Sequence, residues 1–289
     1  MDAGKRIEQA LRTALAAAGA PEGPPKLAAA IEYAVFPGGA RVRPRLCLAV
    51  AGACGDDEPA LAEAVAASVE LLHCASLVHD DLPCFDDAQT RRGRPSLHRA
   101  FGVPLAVLAG DALIIRAFEL VARASVGSPL RLAGLLTTIG AAVGGSEGLV
   151  AGQAWESEPE IDLEQYHQAK TSALFVAATA GGALAAGADP TPWRAVGQHL
   201  GAAYQVADDL CDAVSEAETS GKTAGRDQAL GRPSAVRAYG IEGAVDRLEA
   251  HVANAVAAVP DCPGADQLCD LVRLQAKRLV PKQLAWTAA

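Results

Sequence analysis

Two clusters of aspartates interrupt apolar helical patterns in this chain, so its fold must place both where their charge can be neutralised. Asp208 and Asp212 stand four residues apart within apolar helical spacing, which puts both carboxylates on one face of a predicted helix. Like charges at this spacing destabilise a helix. The first cluster comprises Asp80, Asp81, Asp86 and Asp87, and the second comprises Asp208, Asp209 and Asp212.

The first cluster lies where a helix is predicted to end. Pro83 disfavours helical geometry in the residue before it, so the helix that carries Asp80 should stop near Leu82. The chain can then bend Asp86 back towards Asp80. A single cluster of this kind is equally typical of a solvent-facing acidic turn.

Basic residues follow both clusters, and this favours a functional interpretation. Arg91 and Arg92 follow the first cluster, and Lys222 follows the second. Carboxylates repel a diphosphate and hold it only through divalent cations, and Mg²⁺ combines few carboxylates with substrate phosphates. Arginine and lysine add charge-assisted hydrogen bonds to the outer phosphate oxygens. The pattern therefore predicts Mg²⁺-dependent diphosphate chemistry.

The rest of the chain predicts an all-α fold in a single domain, 1–289. Hydrophobic residues make up 51% of the chain but aromatic residues only 4%, which favours close-packed helices built from Ala, Leu and Val. Segments 83–98 and 219–233 are predicted loops that could cover a substrate. Helices are predicted near 5–19, 25–36, 44–54, 58–82, 104–125, 129–144, 146–157, 163–186, 190–217, 240–258 and 264–280.

Charge and composition exclude several functions. The net charge of −9 disfavours nucleic acid as a partner. The longest apolar run, 173–188, is short for a membrane span, and we expect a cytoplasmic protein without stable membrane insertion. The odd number of cysteines, seven, argues against a full disulfide framework, so reduced thiols are expected.

Seven motifs follow one another along the chain: Gly38-Gly39-Ala40-Arg41-Val42-Arg43-Pro44, His79-Asp80 through His98, Leu108 to Leu113, Gly152-Gln153, Lys170-Thr171, Gln205 to Asp209, and Gly221 to Asp227. They resemble those of the trans-isoprenyl diphosphate synthases, the polyprenyl synthetase family. Within that family, the stretches around Phe85 and Trp155 are similar to geranylgeranyl diphosphate synthases of phototrophic bacteria, which feed carotenoid and bacteriochlorophyll synthesis.

The resemblance implies antiparallel helices around a deep pocket, with both aspartate clusters at its mouth. It also implies a head-to-tail condensation of isopentenyl diphosphate with an allylic diphosphate, and about three Mg²⁺ ions per site. The implied metal ligands are Asp80, Asp81, Asp86, Asp208 and Asp212. The allylic diphosphate would be bound by Arg91, Lys170 and Lys222, and Asp209 would support this binding. Thr171 and Gln205 would face the carbocation. Isopentenyl diphosphate would bind through Arg43, His73 and Arg92, with Arg41 and Arg232 as further candidates.

The chain also departs from the family pattern. Ala40 occupies a position where the family usually has a lysine that contacts isopentenyl diphosphate. Either one cationic contact is missing, or Arg41 has replaced it. Glu156 stands where an aspartate is common, and Arg232 where a lysine is common.

Product length and assembly follow from the same resemblance. Ala75, five residues before Asp80, replaces an aromatic residue that closes the pocket in bacterial farnesyl diphosphate synthases, so Ala75 and Ser76 predict a C20 product. A homodimer is expected.

The alternatives to a C20 synthase are a farnesyl or longer-chain synthase, a class I terpene cyclase, and a non-catalytic regulatory partner of another synthase. The low aromatic content and the second set of cations, Arg43 and Arg92, disfavour the cyclase.

Overall fold

The structure, a computed structural model, describes residues 2–16, 23–36, 38–218 and 234–279. The described residues are mostly helical, which confirms the all-α prediction. They form two compact units. The first unit comprises Met1–Gly52, Asp56–Ile139 and Gly181–Ala188, and the second comprises Ala53–Gly55, Gly140–Ala180 and Asp189–Ala289.

The first unit is organised around its central helix, α4. This helix starts at a proline, whose missing N–H costs nothing in a first turn, and the side chains along much of its length are buried. It packs against α1, α2 and α6. The elements are α1 (Ala3–Ala16), α2 (Pro25–Val35), α3 (Val42–Ala53), α4 (Pro59–Asp80), β1 (Thr90–Arg91), β2 (Arg94–Pro95), α5 (Leu97–Phe101), α6 (Val103–Ala124) and α7 (Pro129–Val143).

Helix α4 is also apolar and long enough, by length and composition, to cross a membrane. Among the described residues it alone passes that test, and 78% of its most apolar window is buried inside the protein. Such burial is what the core helix of a folded unit requires.

The second unit is built on the pairing of α11 with α12. Their apolar faces share one cluster that includes Val206, Leu210 and Leu248. The elements are α8 (Leu149–Ala154), α9 (Leu163–His167), α10 (Ala173–Ala185), α11 (Trp193–Glu218), α12 (Ala235–Ala257) and α13 (Ala265–Leu279). Helix α10 ends in the first unit, from Gly181 onwards.

Most predicted helices are confirmed to within a few residues, and three local features differ. The segment 83–98, predicted to be a loop, contains a short hairpin and the first two residues of α5. Gln168–Ser172 is a π-helical turn inside the predicted helix 163–186. Gly240, at φ 73°, breaks α12 near its start. This explains why the sequence predicted the helix only from residue 240 onwards. The seven cysteines are free thiols.

Candidate active site

The first aspartate cluster lies at the C-terminal end of α4. Beyond Asp80 the chain turns, and the N–H of Asp86 donates to the carbonyl oxygen of Asp80 at 2.9 Å. This hydrogen bond confirms that the chain bends Asp86 back to Asp80. The Asp80 side chain retains 18% exposure, and Asp86 is half-buried. Their carboxylates therefore lie at one helix end.

Asp81 is buried, and its carboxylate is paired with Arg91 on strand β1. Nε and Nη2 of Arg91 donate to Oδ1 of Asp81 at 3.0 and 2.5 Å, and Nη2 is 3.8 Å from Oδ2 of Asp80. Burial alone would lower the pKa of Arg91, but the hydrogen bond to Asp81 and the charges of Asp81, Asp80 and Asp86 raise it. Arg91 thus neutralises the most buried carboxylate of the cluster.

The hairpin that follows places two further arginines near the cluster. Its turn residues Arg92 and Gly93 have φ of 54° and 75°, and the register pairs Arg91 with Arg94. A Cβ on Gly39 would lie 3.0 Å from the guanidinium of Arg92, so the glycine-rich segment before α3 passes close to this side chain. Asp81, Arg91, Arg92 and Arg94 are among the residues that line a cleft here.

Arg94 had no predicted role, although it lies within a recognised motif. It donates to the carbonyl oxygen of Phe36 at 2.8 Å, and its guanidinium stacks 3.7 Å from the ring centre of Tyr33. Tyr33 in turn donates to the carbonyl oxygen of Pro95 at 2.9 Å. These contacts fix the hairpin against α2, which positions Arg91 and Arg92.

Arg41 is buried at the start of α3, and the structure gives it a supporting role. Its guanidinium donates to Glu8 at 2.9 Å, to the buried Glu70 at 2.7 Å and to the carbonyl oxygen of Val35 at 2.9 Å. With these donors engaged, the geometry does not favour the idea that Arg41 replaces the lysine missing at Ala40. A direct contact with substrate stays a prediction.

His73 lies within the electrostatic reach of several arginines. Burial, followed by the positive charges of Arg43, Arg92, Arg91 and Arg41, lowers the pKa of His73 well below its usual value. Arg43 itself is buried. The first unit therefore gathers Arg43, His73 and Arg92, three of the residues predicted for isopentenyl diphosphate, into one cationic region with a neutral histidine.

The two residues predicted to set product length lie next to each other on α4. Ala75 is 1% exposed. Ser76 is half-buried, and its hydroxyl donates to the carbonyl oxygen of His73 at 2.9 Å.

In the second unit, α11 presents Asp208 and Asp212 on an exposed face, as their spacing predicts. Asp209 has another environment. It accepts from the Gln205 amide at 2.9 Å and from the backbone N–H of Ala235 at 2.7 Å, so it ties α11 to the first turn of α12.

Gln205 continues this network towards the π-helical turn. Its amide oxygen accepts from the hydroxyl of Thr171 at 2.5 Å. His167 also lies here, with Nε2 4.0 Å from Oδ2 of Asp209, and burial lowers its pKa to about 4. Thr171, Gln205 and Asp209 thus form one hydrogen-bonded chain.

Lys170, on the same π-helical turn, is held by Glu156. Glu156 also accepts from the Tyr166 hydroxyl at 2.7 Å and from the Gln153 amide at 3.0 Å. A Cβ on Gly152 would lie 2.4 Å from the backbone nitrogen of Lys170, so only glycine permits this approach. The Gly-Gln motif therefore positions Lys170, a role that sequence reasoning missed. The sequence signal for this role was Glu156 itself, an acidic residue at a position where an aspartate is common in the family.

Lys222 and Arg232 lie outside the described residues. The two aspartate clusters belong to different units, and that they face each other stays a prediction.

Three sequence comparisons identify the family. The polyprenyl synthetase family profile matches residues 24–264. Geranylgeranyl diphosphate synthase of Cereibacter sphaeroides is 54% identical over 281 residues, which cover 97% of this chain and 98% of that protein. The enzyme of the same description from Rhodobacter capsulatus is 53% identical over 280 residues, 97% of each chain.

Solved structures agree. A FPP/GFPP synthase from Zymomonas mobilis superposes with a TM-score of 0.80 at 29% identity, covering 95% of this chain and 98% of that one. Geranyltransferase from Helicobacter pylori, complexed with magnesium and isoprenyl diphosphate, gives 0.78 at 28% identity and 96% of each chain. This protein belongs to the polyprenyl synthetase family.

The family uses Mg²⁺, and the donor chemistry found here fits that ion. Asp80, Asp86, Asp208 and Asp212 supply hard carboxylate oxygens. Among the described residues, no three His, Cys, Asp or Glu side chains lie close enough to hold a metal by themselves. Mg²⁺ in such sites completes its coordination with waters and substrate phosphates rather than with an all-protein cage.

Proposed function

We propose that this protein is a geranylgeranyl diphosphate synthase, which extends dimethylallyl, geranyl and farnesyl diphosphates with isopentenyl diphosphate. The observation that carries the proposal is near full-length similarity to two such synthases, in a chain that retains both aspartate clusters.

The aspartates would bind the allylic diphosphate. Asp80, Asp81 and Asp86 in one unit and Asp208 and Asp212 in the other are the proposed ligands of about three Mg²⁺ ions. When bound, these ions neutralise the diphosphate and make it a better leaving group. Arg91 and Lys170 donate hydrogen bonds to its oxygens as negative charge develops there.

The cationic region of the first unit would hold isopentenyl diphosphate. Arg43 and Arg92 supply positive charge, and His73 remains neutral because its pKa is lowered, so it can donate one hydrogen bond without adding further charge. Arg92 lines the cleft at the hairpin, which supports its part in this assignment.

The reaction requires three bond changes. The C1–O bond of the allylic substrate breaks, and its electron pair leaves with the diphosphate. The double bond of isopentenyl diphosphate attacks C1 of the resulting cation, and loss of a proton from C2 of the isopentenyl unit forms the new double bond. The protein positions both substrates, stabilises the departing charge and excludes water from the cation. Thr171 and Gln205 are proposed to direct oxygens at the cation.

The test is product analysis with Mg²⁺, isopentenyl diphosphate and each allylic diphosphate in turn. We expect a C20 diphosphate from all three primers. A C15 product would identify a farnesyl diphosphate synthase instead. Cyclised hydrocarbon formed without consumption of isopentenyl diphosphate would identify a cyclase, and absence of turnover would support the regulatory alternative.

We also propose that the protein is a homodimer, with α6 at the interface. Val107, Leu108 and Ile115 lie on one side of α6 and are 37%, 52% and 68% exposed. Exposed apolar side chains at helical spacing are typical of a surface that a second copy covers. Light scattering should give a dimer mass, which Ile115→Lys lowers to that of a monomer. Leu130→Lys, at a residue 98% exposed on α7, is the matched control and should leave the dimer intact.

A further inference from the structure

Two histidines that the proposed reaction does not use face each other in the second unit. His199 on α11 and His251 on α12 place their Nδ1 atoms 3.5 Å apart. Their ring centres are 5.7 Å apart, and the ring planes are inclined by 40°. Both side chains are half-buried, so each keeps part of its surface exposed.

The separation of the two nitrogens fits a shared metal ion. Zinc–imidazole bonds of about 2.0–2.1 Å in tetrahedral geometry place two ligand nitrogens roughly 3.3–3.4 Å apart. The observed 3.5 Å needs only a small ring movement to reach that value. Without a metal, the same spacing suits a hydrogen bond in which one ring donates and the other accepts.

The protonation state also suits a metal. Burial, followed by the charges of His199 and Arg247, lowers the pKa of His251, while Glu164 opposes that shift. A neutral imidazole keeps the lone pair that coordination requires. The guanidinium of Arg247 is stacked 3.7 Å from the ring centre of Tyr239.

We propose that His199 and His251 form a two-histidine site for a divalent transition metal such as Zn²⁺, which links α11 to α12. Imidazole nitrogens suit zinc, copper and nickel, whereas the aspartate clusters suit Mg²⁺, so the two kinds of site select different ions. No third His, Cys, Asp or Glu joins the pair within the described part of the chain, and water completes the coordination.

The position of the site gives it a structural consequence. Asp209 already ties α11 to the first turn of α12 through Ala235. A metal at His199 and His251 adds a second tie between the same helices. It would therefore stabilise the helix that presents Asp208.

Zinc titration of the full chain, with Mg²⁺ in large excess to occupy the aspartates, tests the proposal. Calorimetry should show one saturable Zn²⁺ site per chain and a rise in Tm. His199→Gln and His251→Gln should each weaken binding by about tenfold or more and abolish the rise in Tm. Asp208→Asn, which alters the acidic cluster on the same helix, should retain both. Equal Zn²⁺ affinities and equal rises in Tm in the parent and the histidine variants would overturn the proposal. The absence of a saturable Zn²⁺ site in the parent would do the same.

A second measurement needs no variant and applies if either substitution prevents folding. In the parent protein labelled with ¹⁵N-histidine, Zn²⁺ should shift the ring signals of two of the six histidines. Shifts in none of them, or in all of them equally, would contradict a specific site.

Discussion

Glu156 accepts a hydrogen bond from Nζ of Lys170, and this contact fixes a lysine of the second unit on a π-helical turn. The two residues come from separate motifs, and Gly152 allows the backbone segments that carry them to touch. Single π-helical turns inside helices are frequently found at functional sites. The relationship suggests that Glu156 sets the position of Lys170 for the departing diphosphate.

Glu156→Gln tests that role, because it keeps the volume of the side chain and removes its charge. Loss of a direct donor to developing charge costs about 10²–10³-fold in kcat, and a loosened lysine should cost less, about tenfold. We expect kcat to fall while the Tm changes little. Glu158→Gln, at an exposed neighbouring carboxylate, is the control. Equal kcat values for the two variants would rule out positioning by Glu156.

Asp80→Asn and Asp208→Asn should each lower kcat by at least about 100-fold, since each removes an anionic ligand from the proposed metal sites with almost no change in volume. Circular dichroism should show an intact helical fold. Asp246→Asn, at an exposed position on α12, should behave like the parent. Turnover within a few-fold of the parent in either cluster variant would refute its assignment as a ligand.

Arg41→Met distinguishes a structural arginine from a substrate ligand. The buried Glu70, only 2% exposed, would lose its ion-pair partner. Breaking a buried pair from one side costs about 3–5 kcal/mol, whereas replacing both partners with apolar residues is often neutral. Urea denaturation should show that loss in Arg41→Met and a partial recovery in Arg41→Met/Glu70→Leu. Full stability combined with a large rise in the KM for isopentenyl diphosphate would instead make Arg41 a substrate ligand.

Stability should fall in mild acid because of His167. Burial lowers its pKa from 6.5 to about 4 in the folded protein, so between these values the unfolded chain binds a proton that the folded chain does not. The contribution of His167 is complete above pH 6.5 and is lost as the pH falls towards 4. A shift of this size corresponds to about 3 kcal/mol at most.

His167→Gln removes this titration, and the comparison isolates it from the other histidines. The free energy of unfolding of the variant should depend less steeply on pH between 6.5 and 4 than that of the parent. If the unfolding free energies of parent and variant changed in parallel over this pH range, the imidazole of His167 would already be protonated in the folded state.

Local spacing predicted much of this fold, because proline, capping residues and apolar periodicity act within one helix. Asp162 illustrates this, since it accepts from the backbone N–H of Gln165, three residues along the chain, at 2.9 Å at the start of α9. The turn that brings Asp86 to Asp80 was predictable for the same reason.

Long-range partners could not be predicted in this way. Arg41 pairs with Glu70, 29 residues away, and Thr171 with Gln205, 34 residues away, and nothing in the local pattern selects these partners. The π-helical turn also has no local signal, because Gln168–Ser172 carries neither proline nor glycine. Its geometry depends on packing against neighbouring segments, including the contact of Gly201 with Ser172.

Ala75→Phe tests the assignment of product length. Ala75 lies about 7.5 Å along the helix axis from Asp80, where a ring would limit a growing hydrocarbon chain. The variant should shift the main product from the C20 to the C15 diphosphate and retain the earlier condensations, whereas Ser76→Ala should still make C20. Ala75 is 1% exposed, so it can alternatively serve only to let helices approach closely. In that case a phenylalanine would overpack the core and cost about 1–3 kcal/mol, without a change in product. Product sizing combined with urea denaturation separates the two roles, and a stable variant that still makes mainly C20 would place the end of the pocket elsewhere.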